Sequence, residues 1–306
     1  MAKIEFYKQG YDFSELEGCI CTCGVFDGIH RGHASLISKT INCAKALKRP
    51  SVCITFSVDP DELFNSQHLK KIMTNSKRIE CLANCGFDQV IVLDFNAEFA
   101  SLSYTQFISN IFEKLRPSQI FVGDNFRFGK CGEGSAEDLI AWGKSRSVLV
   151  EAVGLDSFNN HVVSSSAIRS LLAHTNVARA NDLLGRRYKL SGVVVSGRGE
   201  GAKMGFATAN LVILQELMAL ANGVYASYCT ISGESYKAAV CMGVPPTYEN
   251  SQANCEVHIL DFDKDIYGCE ITLSFVEFLR PLEKFNSEEE LIKAVTANID
   301  WVRQNL

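Results

Sequence analysis

The chain has 306 residues, with 47% hydrophobic residues, 21% charged residues and a formal net charge of −5. This length suits two globular domains, and the negative charge gives no bulk attraction to nucleic acid or to an anionic membrane. The apolar runs are shorter than the roughly 18 residues that a membrane-spanning helix needs. The N-terminal segment MAKIEFYKQGYDF carries no apolar signal-peptide core. We therefore expect a cytoplasmic protein with neither nucleic-acid nor membrane partners.

The first half of the chain alternates short apolar runs with amphipathic stretches. The apolar runs predict the strands Cys19–Phe26, Ser51–Phe56, Gln89–Phe95, Gln119–Gly123 and Val148–Val153. The amphipathic stretches predict the helices His33–Leu47, Asn75–Cys85, Tyr104–Leu115 and Ala136–Ser145, with a further helical stretch over Ser165–Leu184. Strands that alternate with helices predict βαβ units and a parallel sheet, which is a Rossmann-like α/β domain.

After about residue 185 the pattern changes to β-rich segments separated by glycine-bearing turns. The predicted strands are Lys189–Ser196, Gly223–Ile231, Tyr236–Met242, Cys255–Asp261 and Glu270–Leu279. Their short spacing predicts an antiparallel barrel or sandwich, and Ser287–Asn305 has the periodicity of a closing amphipathic helix. We therefore expect one domain over residues 1–185 and a second over residues 186–306.

Twelve cysteines occur along the chain. Their spacing matches no zinc-site pattern, and a chain of this length without a secretion signal gives no reason to expect a disulfide framework. Cys19, Cys21 and Cys23 alternate along a predicted strand and so share one of its faces. We interpret the cysteines as reduced, small, buried residues.

The most specific motif is Gly24-Val-Phe-Asp-Gly-Ile-His-Arg-Gly-His33, which leaves the first strand listed above and enters the first helix. Glycines let a ligand approach the backbone, and a helix N-terminus offers free N–H groups and partial positive charge to phosphates. Two histidines at this turn can donate hydrogen bonds to charge that develops on an α-phosphate. The motif predicts a polyphosphate site, although a histidine in a loop is often structural.

The H-x-G-H sequence after a strand resembles the nucleotidyltransferase superfamily, and the longer motif is similar to its FAD synthetase branch. Later segments resemble that branch in the same order: Thr55-Phe56, Gly123-Asp-Asn-Phe-Arg-Phe-Gly-Lys130 and Ser164-Ser-Ser-Ala-Ile-Arg169. The resemblance implies adenylylation of FMN by ATP, with His30 and His33 stabilising the transition state and Mg²⁺ neutralising the phosphates. The implied ATP and phosphate contacts are Gly24, Phe26, Asp27, Gly28, Asn125, Arg127, Ser164, Ser166 and Arg169, and the implied flavin contacts are Phe56, Phe126 and Phe128.

Several of these positions have simpler alternatives. Asp27 would also serve to cap or tighten the turn, Phe126 and Phe128 suit a hydrophobic core, and the serines at 164–166 suit an ordinary helix cap. The sequence also departs from the family pattern, because Ser57-Val-Asp-Pro60 replaces a proline–histidine–proline turn and Ala167 stands where a basic residue is common.

The segment from about residue 186 to 306 resembles the riboflavin kinase family. The matching motifs are Gly205-Phe-Ala-Thr-Ala-Asn-Leu211, Gly223-Val-Tyr-Ala226, Glu256-Val-His-Ile-Leu-Asp-Phe262 and Phe278-Leu-Arg280. The resemblance implies phosphorylation of riboflavin by ATP, with Glu256 as general base and Thr208 and Asn210 as Mg²⁺ ligands. It also implies flavin contact from Tyr225 and phosphate contact from Gly197, Gly199, Gly201 and Gly205.

The kinase segment departs from its family as well. Glu200 and Ala202 stand near positions where the family usually has arginines. Ala207 replaces a proline, Cys241 replaces an asparagine, and Pro245 replaces an arginine. Taken alone, Glu256 would be a solvated strand carboxylate, and we expect His258 on the same strand face to be structural.

The sequence thus predicts a bifunctional enzyme that phosphorylates riboflavin to FMN and adenylylates FMN to FAD, releasing pyrophosphate. One alternative is a monofunctional FAD synthetase with a weak or inactive barrel. Others are an H-x-G-H adenylyltransferase that acts on pantetheine phosphate or nicotinate mononucleotide, and a non-catalytic flavin-binding module. We expect riboflavin, FMN and ATP as small-molecule partners. The sequence leaves open whether the chain forms a homo-oligomer.

Overall fold

The computed structural model describes residues 1–7, 11–64, 70–154, 157–158, 161–197, 201, 205–243 and 255–306. The chain divides into two compact units, Met1–Ser165 and Ser166–Leu306. In the described ranges, no helix has both the length and the apolar character that crossing a membrane requires.

The first unit alternates strands and helices, as predicted. The strands are β1 (Lys3–Tyr7), β2 (Ile20–Cys23), β3 (Ser51–Phe56), β4 (Gln89–Leu93), β5 (Gln119–Gly123), β6 (Arg127–Phe128), β7 (Gly134–Ser135), β8 (Leu149–Val153), β9 (Ser157–Phe158) and β10 (His161–Val162). The helices are α1 (Arg31–Leu47), α2 (Pro60–Phe64), α3 (Asn75–Ala83), α4 (Ala97–Ala100), α5 (Tyr104–Leu115) and α6 (Ala136–Arg146), with short 3-10 helices at Ser14–Leu16 and Lys130–Gly132.

Six of these strands form a parallel sheet in the order β1-β4-β3-β2-β5-β8. β3 and β4 lie on one side of β2, whereas β5 and β8 lie on the other, so the strand order reverses beside β2. Open α/β sheets bind ligands outside the carboxyl ends of the strands at such a reversal. The Gly24–His33 motif follows the carboxyl end of β2 and therefore lies where a ligand is expected.

Hydrophobic cores form on both faces of the sheet. Cys19, Cys21 and Cys23 belong to one core together with residues of α5 and α6, whereas Ile20 belongs to the other with residues of α1 and α3. This arrangement confirms the shared face of the three cysteines. The wider prediction of burial is wrong for Cys85, Cys131 and Cys269, which are exposed. Cys85 and Cys269 lie in a turn and a loop, and Cys131 lies in the short 3-10 helix Lys130–Gly132.

The second unit is an antiparallel barrel with flanking helices. Its elements, with α7 beginning at the boundary between the units, are α7 (Ser165–Ala173), α8 (Val177–Leu184), β11 (Tyr188–Val195), β12 (Ala209–Ile213), β13 (Gly223–Ile231), β14 (Glu234–Met242), β15 (Cys255–Ile259), β16 (Glu270–Arg280) and α9 (Glu288–Asn305). The six strands close in the order β11-β12-β15-β14-β13-β16.

Two details of this unit differ from or extend the prediction. The helical stretch Ser165–Leu184 is interrupted, because Thr175 takes a left-handed φ of 61° between α7 and α8. The closing helix α9 is confirmed, and the Ser287 side chain caps it by accepting a hydrogen bond from the Glu290 N–H at 3.2 Å. Ile299 and Val302 of α9 pack with Ala226 on the barrel.

Candidate active sites

The Gly24–His33 motif forms a tight turn between β2 and α1. Phe26, Gly28 and Ile29 have positive φ angles of 62°, 79° and 39°. A left-handed backbone costs about 1–2 kcal/mol for a residue that carries a Cβ, so Phe26 and Ile29 need surrounding contacts to hold them. Gly28 is also needed for space, because a Cβ at this position would lie 2.9 Å from the Ile72 side chain.

The structure brings His30 and His33 together at the N-terminus of α1. Their rings stack with centroids 3.6 Å apart and planes at 16°. His30 is the N-cap, and its Nδ1 accepts a hydrogen bond from the His33 backbone N–H at 3.3 Å. Because Nδ1 accepts, the proton of a neutral His30 ring lies on Nε2. His30 is 4% exposed and His33 is half-buried, so His33 is the more accessible ring.

Asp27 holds the turn to the neighbouring backbone. Both carboxylate oxygens accept from the Ile72 N–H, at 3.2 and 3.1 Å, and Oδ1 accepts from the Met73 N–H at 3.4 Å. The Asp27 carbonyl oxygen also accepts from the Ser165 hydroxyl at 2.8 Å. A buried carboxylate would repel a phosphate, so this geometry favours the turn-holding alternative over direct phosphate contact.

The predicted contacts after β5 divide into exposed and buried positions. Asn125 and Arg127 are exposed and so are available to a ligand. Phe126 and Phe128 stack at 5.3 Å and are 9% and 4% exposed, inside the core. Phe56 is also in this core. The core alternative therefore fits Phe126 and Phe128, and Phe56 is buried in the same way.

The serine motif spans the boundary between the two units. Ser164 is half-buried and belongs to the first unit, where the neighbouring Ser165 hydroxyl connects this segment to Asp27. Ser166 and Arg169 belong to the second unit, on α7, and are exposed and half-buried respectively.

A group of buried charges lies next to the turn, and no sequence motif points to it. Lys71 is 3% exposed and lies 3.1 Å from Glu62 Oε1, and Arg78 is 1% exposed. Burial alone raises the pKa of Glu62, but hydrogen bonds from Asn75, from the Asp59 N–H and from Lys71 hold this pKa below its usual value. Of these groups, only Asp59 belongs to Ser57–Pro60, the segment in which the chain departs from the proline–histidine–proline turn.

In the barrel, the predicted metal ligand and the predicted general base are direct neighbours. Asn210 on β12 lies opposite Glu256 on β15, and such cross-strand pairs have Cβ atoms about 4.5–5.5 Å apart. Thr208 precedes Asn210 by two residues and so points to the same side of the extended chain. Glu256 is half-buried while Val257 is fully buried, which agrees with the predicted alternation along this strand.

Glycines of the predicted phosphate loop lie against these groups. A Cβ at Gly197 would overlap the side-chain amide of Asn210. A Cβ at Gly201 would lie 2.5 Å from the Phe206 carbonyl oxygen and 3.2 Å from Thr208 Oγ1. Both positions therefore require the close approach that glycine allows. Gly205 has a φ of 86° and open space around it. Four positions discussed above lie outside the described residues: Gly199, Glu200, Ala202 and Pro245.

The other predicted kinase residues have structural contacts. Tyr225 is 0% exposed, and its hydroxyl donates to the Ala221 carbonyl oxygen at 2.7 Å, so its ring is enclosed in the barrel. His258 Nδ1 lies 2.9 Å from the Ala207 carbonyl oxygen, which supports the structural role expected for this histidine. Cys241 is the neighbour of Glu256 on β14. Burial, and then the Glu256 carboxylate, raise the pKa of the Cys241 thiol to about 12.

The residues around Asn210 fit a magnesium–ATP complex. Mg²⁺ is usually bound by one or two protein oxygens together with substrate phosphates and water. The Thr208 hydroxyl and the Asn210 amide supply such oxygens, and both lie beside glycines whose backbone a phosphate could approach. In the part of the chain that the structure describes, no group of three His, Cys, Asp or Glu residues could hold a metal ion.

Comparisons with known proteins agree with this division into two sites. The FAD synthetase family model matches residues 12–167, and the riboflavin kinase model matches residues 184–306. The bifunctional riboflavin kinase/FMN adenylyltransferase of Pseudomonas fluorescens is 32% identical over 94% of this chain and 93% of that protein. The protein of the same name from Escherichia coli K12 is 34% identical over 90% of this chain and 88% of that protein.

A solved structure matches the whole chain. The macrolide-efflux protein from Streptococcus pneumoniae superposes with a TM-score of 0.86 and 28% identity over 99% of both chains. Its name describes transport, and we take only the fold from it, because two family models and the named relatives agree on a flavin-nucleotide family. The chain belongs to the family of bifunctional riboflavin kinase/FMN adenylyltransferases.

Proposed function

We propose that the chain makes FMN and then FAD in two ATP-dependent steps. In the first step, the γ-phosphoryl group of ATP is transferred to the riboflavin 5′-hydroxyl. In the second, the phosphate of FMN attacks the α-phosphorus of another ATP, and pyrophosphate leaves. The observation that carries this proposal is the presence of both arrangements in one chain: stacked imidazoles at the phosphate-binding turn, and Asn210 opposite Glu256 in the barrel.

For adenylyl transfer, we propose that the turn binds the ATP phosphates through backbone N–H groups at the start of α1. His33, which is the more accessible imidazole, would donate to charge on the α-phosphoryl group, and His30 Nε2 would add a second donor. Gly24, Phe26 and Gly28 would contribute backbone contacts, since the Phe26 side chain is in the core. Asn125, Arg127, Ser164, Ser166 and Arg169 are proposed as further phosphate contacts.

For phosphorylation, we propose that Glu256 accepts the proton of the riboflavin 5′-hydroxyl. Thr208 and Asn210 would hold Mg²⁺, which neutralises phosphate charge when it is bound with ATP. Gly197, Gly199, Gly201 and Gly205 would lie along the phosphates. The pairing of Asn210 with Glu256 across β12 and β15 supports this proposal, because the hydroxyl and the γ-phosphate could then meet beside them without a protein nucleophile.

The proposed flavin contacts are Phe56, Phe126 and Phe128 in the first site and Tyr225 in the second. All four side chains are at least nine-tenths buried, so we expect a flavin to meet them only through ring edges or after local rearrangement. Substitution at these positions should therefore change both stability and flavin affinity.

We propose that residues 1–185 carry adenylyl transfer and residues 186–306 carry phosphorylation. The two family models support this division, although by their contacts α7 and α8 belong to the second compact unit from residue 166 onward. We further propose a cytoplasmic location, because both reactions consume ATP, and small-molecule partners without nucleic acid or membrane. A homo-oligomer is compatible with this proposal.

Product analysis tests the proposed function directly. The purified full chain is incubated with riboflavin, ATP and Mg²⁺, and the flavins are separated by chromatography. We expect FMN to form first and FAD to follow. FAD formation from supplied FMN, without any product from riboflavin, would show a monofunctional FAD synthetase. No turnover of either flavin would refute both assignments.

A further inference from the structure

We propose that Arg78 is a positioning residue for adenylyl transfer, which it controls by holding the phosphate-binding turn in its left-handed conformation. The inference rests on the proposed function of that turn. It adds a residue of α3 that touches no substrate in the proposal and that none of the sequence motifs includes.

The Arg78 guanidinium connects three separate segments of the first unit. Its NH1 donates to the Val25 carbonyl oxygen at 2.8 Å and to Thr55 Oγ1 at 2.6 Å. Its NH2 donates to the Phe56 carbonyl oxygen at 2.7 Å and to Asn75 Oδ1 at 3.2 Å. Arg78 thereby joins the turn after β2 to the carboxyl end of β3 and to the first turn of α3.

This set of contacts depends on the shape of arginine. A guanidinium is a planar fork with five N–H donors, whereas the ammonium group of lysine is a compact point charge. A single lysine nitrogen cannot replace two nitrogens that each serve two acceptors in different directions. An apolar side chain could fill the space, but it would leave the Val25 and Phe56 carbonyl oxygens without these donors.

The Val25 contact leads directly to the histidines. Val25 precedes Phe26, whose φ of 62° is unfavourable for a residue with a Cβ, and such conformations persist only where surrounding contacts hold them. The Phe26 ring meets the His33 ring edge to face at 5.2 Å, and His33 stacks on His30 at 3.6 Å. A shift of the Val25 peptide would therefore move the Phe26 ring and then both imidazoles.

The electrostatic surroundings keep the guanidinium in this place. Arg78 is 1% exposed, and burial lowers its pKa, while the carboxylates of Asp59 and Asp27 oppose this effect. Asp27 itself holds the other side of the turn through the N–H groups of Ile72 and Met73. The turn is thus held from two directions, by a buried cation at its start and by a buried anion at its centre.

The test compares Arg78→Lys with Arg146→Lys, a matched substitution at an exposed arginine of the same unit that pairs with Glu113. For each full-length variant, kcat and KM are measured for FAD formation from FMN, and riboflavin phosphorylation serves as an internal control for folded enzyme. We expect Arg78→Lys to lower kcat for adenylyl transfer by about tenfold to hundredfold, as small misplacements of catalytic groups do. Phosphorylation, and both activities of Arg146→Lys, should stay unchanged.

A spectroscopic measurement separates positioning from general destabilisation. With 15N-labelled histidine, the imidazole signals of His30 and His33 should shift in Arg78→Lys and not in Arg146→Lys. Unchanged adenylyl transfer, unshifted imidazole signals, or an equal loss of both activities in Arg78→Lys would overturn the inference. If the wild-type chain itself forms no FAD from FMN, the proposed function fails instead.

A second variant keeps the test decisive if Arg78→Lys does not fold. Thr55→Val removes the hydroxyl that accepts from Arg78 and that also donates to the Val25 carbonyl oxygen at 3.4 Å. We expect this variant to lower kcat for adenylyl transfer, by less than Arg78→Lys would, and to leave phosphorylation unchanged. Full adenylyl transfer by a folded Thr55→Val protein with unshifted imidazole signals would overturn the inference.

Discussion

Replacing Gly201 by alanine should impair the kinase site through a steric effect whose size follows from the structure. The added Cβ would lie 2.5 Å from the Phe206 carbonyl oxygen, whereas ordinary Cβ contacts begin at 3.4 Å. The new Cβ and the Phe206 carbonyl oxygen must therefore move apart by about 0.9 Å, the difference between 3.4 and 2.5 Å. The Phe206 N–H donates to the Gly201 carbonyl oxygen at 2.7 Å, so the two ends of this loop cannot separate without losing that bond. The displacement should therefore pass along the chain to Thr208.

The expected loss can be estimated from this displacement. A misplacement of about 1 Å can cost about a hundredfold in rate, so we expect kcat for riboflavin phosphorylation to fall by about 30- to 100-fold. Overpacking of this kind also costs about 1–3 kcal/mol of stability. FAD formation from supplied FMN should be unaffected, since its proposed residues lie elsewhere in the chain.

The assay for Gly201→Ala follows FMN production from riboflavin over a range of magnesium–ATP concentrations. A melting curve of each protein separates loss of fold from loss of catalysis. Gly154→Ala is the matched control, because its backbone is not left-handed and a Cβ there would meet nothing closer than 3.9 Å. Wild-type phosphorylation by Gly201→Ala would refute the argument that this glycine fixes Thr208.

Three further predictions separate the two sites and test the cysteines. Glu256→Gln should lower kcat for phosphorylation by about 10²–10⁴-fold, the usual contribution of a general base, and retain adenylyl transfer in the chromatographic assay; retained phosphorylation would contradict the assigned base. His33→Ala should lower adenylyl transfer by about 10²–10³-fold, as for loss of one transition-state donor, with phosphorylation intact; turnover indifferent to this change would remove the imidazole from the mechanism. The cysteines can be labelled with iodoacetamide at pH 7.5 and located by mass spectrometry. The exposed Cys131 and Cys269 should react well before Cys241, because a pKa of about 12 leaves almost no thiolate at Cys241. Faster labelling of Cys241 would contradict its assigned surroundings.

Periodicity was sufficient to predict most of the fold. Ser51–Phe56, Gln119–Gly123 and Tyr104–Leu115 appear with the predicted bounds, because fully buried strands and amphipathic helices carry strong local patterns. The first strand, Lys3–Tyr7, was missed because it is an edge strand whose residues are partly exposed, so its pattern has little apolar contrast. The strand Ala209–Ile213 is not among the predicted strands, and its first three residues belong to the Gly205–Leu211 motif, which is interpreted as ligand-binding.

The residues that hold the first site were harder to predict than those that would touch its ligand. Motifs pointed to His30 and His33, but the contacts that Arg78 makes join segments far apart in the sequence, and no local pattern encodes them. A weaker signal was present, since Arg78 lies one residue before Ile79 and four before Leu82, on the apolar face of α3. A charged residue at such a position predicts a buried polar network, because an unpaired buried charge would be too costly.

The departures from the kinase family have different physical consequences. Cys241 stands beside Glu256 in place of a family asparagine, and its raised pKa of about 12 keeps the thiol neutral at physiological pH. It therefore adds no charge next to the proposed base, and the main loss is an amide that could have donated a hydrogen bond. Ala207 gives up the rigidity of proline, but its carbonyl oxygen is held by His258. Within the described residues, both departures leave Thr208, Asn210 and Glu256 in one arrangement, so the sequence changes argue for a slower kinase rather than for an absent one.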